Sequence, residues 1–263
     1  MPDQLPLGII VFIYGLCIGS FLNVCIFRIP ESLSLVTPPS TCPRCKAKIK
    51  SYDNIPVISY VLLGGKCRVC RIPISIRYPL IEIFTGIMWF LTYQKFGISI
   101  EFFIYLTFIS TLIVITFIDI DLQIIPDVIS IPGIPVFFIL ALFLPNLSLT
   151  DALLKSTYGV LAGGGSLLVI ALSYEFITKK EGMGFGDVKL LAMIGALIGF
   201  KGVLFTIFIS SALGTVIGLC LMVITRNNLK LAIPFGPFLS AGAVLYLFFG
   251  EALIYWYLNL YTI

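Results

Sequence analysis

The chain has 263 residues, 59% of them hydrophobic and only 11% charged, with a net charge of +4 and no histidine. That balance excludes an ordinary soluble domain and fits an all-α polytopic membrane protein. Nucleic acid is excluded as a partner, because membrane topology explains the basic residues better.

The first apolar run, 5–27, lacks a basic region before it and carries its positive charge after it, so it reads as a retained span rather than a cleaved signal. The only sizeable polar segment, 28–78, follows. It contains Cys42-Pro43-Arg44-Cys45 and Cys67-Arg68-Val69-Cys70. Two Cys-x-x-Cys knuckles at this separation predict a small zinc-ribbon-like domain in which Cys42, Cys45, Cys67 and Cys70 fill a tetrahedral site. Such a zinc ion is structural, because four thiolates leave no open position. The competing reading, two disulfides, needs an oxidising compartment. Cys17, Cys25 and Cys220 lie in apolar runs and read as small buried side chains.

Downstream, apolar runs at 79–96, 101–118, 128–145, 153–177, 187–199, 202–225 and 233–250 bring the expected spans to about eight. The run 187–199 is short for a span, and 252–261 reads as an interfacial tail. Glu82 lies near the start of the second span and Glu175 near the end of the fifth; Glu175 reads as snorkelling. Gly163-Gly164-Gly165 sits within the fifth span and reads as close helix packing. Asp119 closes the third span, Asp121 falls in a short loop, and Asp127 follows Pro126 where the fourth helix starts. Asp187 follows Gly182-Met183-Gly184-Phe185-Gly186 and starts another helix, where it reads either as an N-cap or as a functional carboxylate. Gly184 and Gly186 leave room for an extended peptide backbone. Lys189 has two readings: it biases a nearby carboxylate toward its ionised form, or it snorkels.

An outward N-terminus places 14 of the 17 lysines and arginines on the cytoplasmic side, leaving only Lys95, Lys155 and Lys201 outside. The same topology puts Asp119, Asp121, Asp127 and Asp187 at one membrane face. Carboxylates at this depth are functional by default. A pair sharing one proton activates water, so Asp119 and Asp187 point to an aspartic peptidase. The three expected parts are a first transmembrane helix (1–27), the cytoplasmic four-cysteine domain (28–78) and a transmembrane peptidase domain (79–263).

The motifs resemble those of the prepilin peptidase family, intramembrane aspartic peptidases of the Gly-x-Gly-Asp type. They run from Gly19-Ser20-Phe21-Leu22-Asn23-Val24 through the cysteine knuckles, Asp53-Asn54-Ile55-Pro56 and Arg77-Tyr78-Pro79 with Glu82. They continue through Asp119 to Asp127, Gly184-Phe185-Gly186-Asp187-Val188-Lys189 and Ile233-Pro234-Phe235-Gly236-Pro237. The resemblance implies a bifunctional enzyme of the bacterial inner membrane serving type IV pili or type II secretion. It would cleave prepilins or pseudopilins after glycine at the cytoplasmic face, with Asp119 and Asp187 as the dyad. It would then methylate the new N-terminus from S-adenosylmethionine. It places methylation in the N-terminal half, with Glu82 a candidate contact for the methyl donor. Gly184, Gly186, Lys189 and Asp127 are candidate substrate contacts. A carboxylate-coupled transporter and a non-catalytic assembly subunit remain as alternatives. The transporter predicts an inverted repeat, which the two dissimilar aspartate motifs do not supply.

Overall fold

The structure is a computed structural model that describes residues 4–145, 147–179, 184–225 and 233–259. Lys180, Gly182, Met183, Arg226 and Lys230 lie outside the described residues. The described chain is helical: α1 (Gln4–Arg28), α2 (Ile58–Leu62), α3 (Arg77–Phe96), α4 (Ile100–Leu122), α5 (Asp127–Ala141), α6 (Leu149–Thr178), α7 (Phe185–Thr225) and α8 (Gly236–Asn259), with a short 3-10 turn at Ser51–Asp53. Helices α1, α4, α6, α7 and α8 are each long and apolar enough to cross a membrane. Two compact units divide the chain, Met1–Val114 and Ile115–Ile263, with the boundary inside α4.

In the first unit α1 packs along α3. The approach is close because glycine stands at the contact. A Cβ on Gly15 would lie 2.8 Å from the Gly86 backbone, and one on Gly19 would lie 2.7 Å from Cα of Glu82. Gly15 and Gly19 are one helical turn apart, the small-xxx-small spacing that lets membrane helices meet backbone to backbone. Val11, Tyr93, Phe102 and Leu106 close one end of this unit, and the Trp89 indole N–H donates to Ser110 Oγ at 3.3 Å.

In the second unit α7 packs against α5, α6 and α8. The α6–α7 seam repeats the glycine device: Gly159 faces the backbone of Gly195, and Gly163 faces the backbone of Leu191. Of the triple-glycine run, Gly163 carries the packing, Gly164 touches only Ala192, and Gly165 faces open space. Ser148 caps α6 by accepting from the Asp151 amide at 3.1 Å.

Several sequence expectations change. The apolar runs 187–199 and 202–225 are separated by a single non-helical residue, Gly199 (φ 76°), so they follow directly within α7. Its left-handed φ suits glycine, which has no Cβ to clash. The segment from 252 does not leave the fold as a separate tail, because α8 runs unbroken to Asn259. Asp121 lies in the last turn of α4 rather than in a loop. Among the cysteines of the apolar runs only Cys25 is buried; Cys17 and Cys220 are exposed on helix surfaces.

Candidate active site and cysteine cluster

Helix α4 ends at Leu122; the next residue, Gln123, bonds the Asp119 carbonyl through its amide at 2.9 Å and its left-handed φ of 55° stops the helix. Asp119 therefore sits on the last turn, and its side chain is only 5% exposed. Its Oδ2 accepts from the Gly236 backbone N–H at 2.9 Å, at the first residue of α8. Asp187 is half-buried in the first turn of α7, where its amide bonds the Gly184 carbonyl at 3.1 Å.

Both carboxylates open onto one cavity of about 450 Å³, which Gln123, Tyr174, Gly184 and Phe235 also line. Helices α4 and α7 thus supply one carboxylate each to a shared, partly desolvated space, with α6 and the entry to α8 completing its wall.

Ile125, in the link from α4 to α5, packs close to both Gly186 and Gly236. A Cβ on Gly186 would meet Ile125 Cβ at 2.9 Å, and one on Gly236 would meet Asp119 Oδ2 at 2.6 Å. Gly186 is therefore glycine because the neighbouring segment packs on it. Gly184 has nothing nearer than 3.9 Å and faces the cavity. Lys189 Nζ pairs with Asp127 Oδ1 at 2.6 Å, tying the first turn of α7 to the first residue of α5. Of the residues that the sequence offered as substrate contacts, the structure brings Gly184 to the cavity and uses Gly186, Lys189 and Asp127 to join the segments around it. Sequence reasoning gave no role to Tyr174 or Gln123, which have no motif of their own. Pro234 and Phe235 also line the cavity, and the signal for them in the sequence was the pair of prolines on either side of Phe235-Gly236.

In the first unit the two cysteine knuckles are built alike. The Cys42 amide bonds the Ala47 carbonyl and the Cys67 amide bonds the Ile72 carbonyl, both at 2.9 Å. The residues after each second cysteine, Lys46 and Arg71, take left-handed φ values of 57° and 58°. All four sulfurs are free thiols whose Sγ atoms lie within 4.8 Å of one another, with Cys42 and Cys70 at 3.8 Å. A tetrahedral zinc with Zn–S bonds of about 2.3 Å has sulfurs about 3.8 Å apart, so the donor set fits such an ion. The amides of Cys45 and Arg44 lower the Cys42 thiol from 9.0 to about 6. The amides of Cys70 and Val69 lower Cys67 in the same way. One thiol in each knuckle therefore favours thiolate, the form that binds metal, while against the pull of the Ala47 amide, burial and the three other thiols push Cys45 up to about 11.

Arg68 forks onto Asp53 through Nε and a terminal nitrogen, the shortest contact being 2.5 Å, and so fastens the second knuckle to the 3-10 turn. Glu82 is 8% exposed, and its Oε2 accepts from the Val57 amide at 2.8 Å. Val57 has φ 60°, an unusual conformation for a β-branched residue. Glu82 thus holds the loop's backbone where it is strained.

Two family models match the chain: the bacterial peptidase A24 N-terminal domain over residues 13–96, and the type IV leader peptidase family over residues 106–219. Several curated relatives are similar along most of their length. One, named prepilin leader peptidase/N-methyltransferase, from Pseudomonas putida, is 33% identical over 91% of this chain and 89% of its own. Relatives of the same name from Pseudomonas aeruginosa and Neisseria gonorrhoeae are 34% and 36% identical, over 97% and 91% of this chain and 95% and 88% of their own. No solved structure matches.

Proposed function

The chain belongs to the type IV leader peptidase family, and we propose that it cleaves prepilin or pseudopilin leaders after glycine with Asp119 and Asp187 as its catalytic pair. The observation that carries this reading is the placement of these two carboxylates, from α4 and α7, on one cavity. One carboxylate removes a proton from water while the other, protonated, donates a hydrogen bond to the scissile carbonyl oxygen. Water's oxygen bonds the carbonyl carbon. Collapse of the tetrahedral adduct breaks the C–N bond, and the departing amine takes a proton from the pair.

Orientation follows the lysine and arginine distribution: the N-terminus is outside and the dyad works at the cytoplasmic face of the inner membrane. The 28–78 segment is a metal-binding module in which Cys42, Cys45, Cys67 and Cys70 would hold zinc. The ion supplies fold stability that a loop of this size lacks.

N-methylation of the new terminus from S-adenosylmethionine is proposed from the printed names of the relatives. Glu82 stays the candidate contact for the methyl donor, with its Oε2 held by the Val57 amide.

The test is cleavage of a peptide with a Gly-Phe junction by the full chain in liposomes, with products weighed by mass spectrometry with and without S-adenosylmethionine. Cleavage after glycine by wild type, lost by at least about 10³-fold in Asp119→Asn and in Asp187→Asn, supports the dyad. An added methyl mass supports the second activity. A folded wild type that leaves the peptide intact, or either variant that keeps its rate, overturns the peptidase reading and favours a transporter or an assembly subunit.

A further inference from the structure

The Pro234-Phe235-Gly236-Pro237 turn supplies no acid or base to the dyad, yet it touches the dyad directly. Gly236 N–H donates to Asp119 Oδ2 at 2.9 Å within a buried site. The contact leaves no spare room, since a Cβ on Gly236 would stand 2.6 Å from that same oxygen and 3.4 Å from Ile125 Cδ1. We infer that Gly236 is a positioning residue for catalysis: its amide ties down Oδ2 of Asp119 and leaves Oδ1 as the oxygen that meets water. The inference rests on the peptidase reading and adds to it a division of labour within one carboxylate.

The physical argument is geometric. A carboxylate at a helix end rotates about its terminal bond with little resistance. A backbone N–H cannot swing away as a side-chain donor can, because it is fixed by the start of α8. With one oxygen anchored, the other is aimed. Asp187, the partner carboxylate, and Gln123 and Tyr174 face the same cavity. Gly236 N–H is the partner that the structure records for Asp119 Oδ2.

The prolines make the contact measurable. Between Pro234 and Pro237 only Phe235 and Gly236 carry an amide hydrogen. In hydrogen exchange on the full chain, the Gly236 amide is protected in wild type and exchanges at least about 10-fold faster in Asp119→Ala, which removes the acceptor. Kinetics supply the second readout. Gly236→Ala pushes Asp119 off its anchor, so kcat falls by about 100-fold, while KM and the binding of an uncleavable reduced-amide peptide stay as in wild type.

Equal exchange in wild type and Asp119→Ala overturns the inference, and so does an unchanged kcat in Gly236→Ala. The exchange measurement decides the matter if Gly236→Ala does not fold. The two levels separate cleanly. Retained cleavage by Asp119→Asn sinks the peptidase reading itself. Lost cleavage there, with normal kcat in Gly236→Ala, sinks only the positioning role.

Discussion

A thiol and a carboxylate in this chain are held by the same kind of group, a backbone amide. At Cys42 the donors are the amides of Cys45 and Arg44; at Asp119 the donor is Gly236. The cysteines and the two aspartates were legible in the sequence because their chemistry is written in their side chains and the knuckle spacing is specific. The amides were not, since a main-chain N–H has no letter of its own. The Lys189–Asp127 pair was hidden for a related reason: its members come from different helices, and only packing brings them together. The cysteine cluster carries a pH prediction. A thiol whose folded value is lowered stabilises the loop above its ordinary value and loses that contribution as pH falls. Cys42 titrates at about 6 rather than 9.0, so its contribution declines from about 9 downward and is gone below about 6. Protons then compete with metal for the sulfurs. Zinc should stay bound at neutral pH and be released below about pH 6, as read with a zinc-sensitive dye. Cys42→Ser should lower the thermal midpoint of the protein while cleavage by the folded fraction survives.

At the scale of elements, apolar runs of the right length gave helices in the right places, because a long uncharged stretch has few alternatives in lipid. What the runs did not give was where one helix stops and the next begins. Gly199 divides two runs with a single non-helical residue, and α8 continues past Glu251 into the segment that was too short to span by itself. The glycine seam between α6 and α7 was legible as packing but not by residue: the sequence offered three adjacent glycines, and only Gly163 meets backbone. Substitution should separate them. Gly163→Leu should destabilise the protein by at least about 3 kcal/mol, because the seam cannot open without moving α7. Gly165→Leu should be nearly neutral. Thermal unfolding in detergent distinguishes the two, and equal losses would count against the seam.

At the scale of the molecule, the charge pattern and the compact units speak to different things. The lysines and arginines say which way the chain threads the membrane, while the units say which residues cohere. Every residue of the candidate dyad, its cavity and its supports falls within Ile115–Ile263, whereas the four cysteines and Glu82 fall within Met1–Val114. The proposed topology predicts that a reporter active only in the cytoplasm will work when inserted in the 28–78 segment and fail at the N-terminus. The reverse pattern would overturn the orientation without touching the dyad.

The α6–α7 seam has a consequence for depth. Gly159 and Gly163 are spaced four apart, as are Gly195 and Gly199. A slide of one turn along the seam would carry Lys155 or Leu167 into a place that now admits no side-chain atom. The two helices therefore behave as a vernier with one legal setting. Asp187 rides on the first turn of α7, so how far it reaches into the cavity is gauged by missing atoms two turns away.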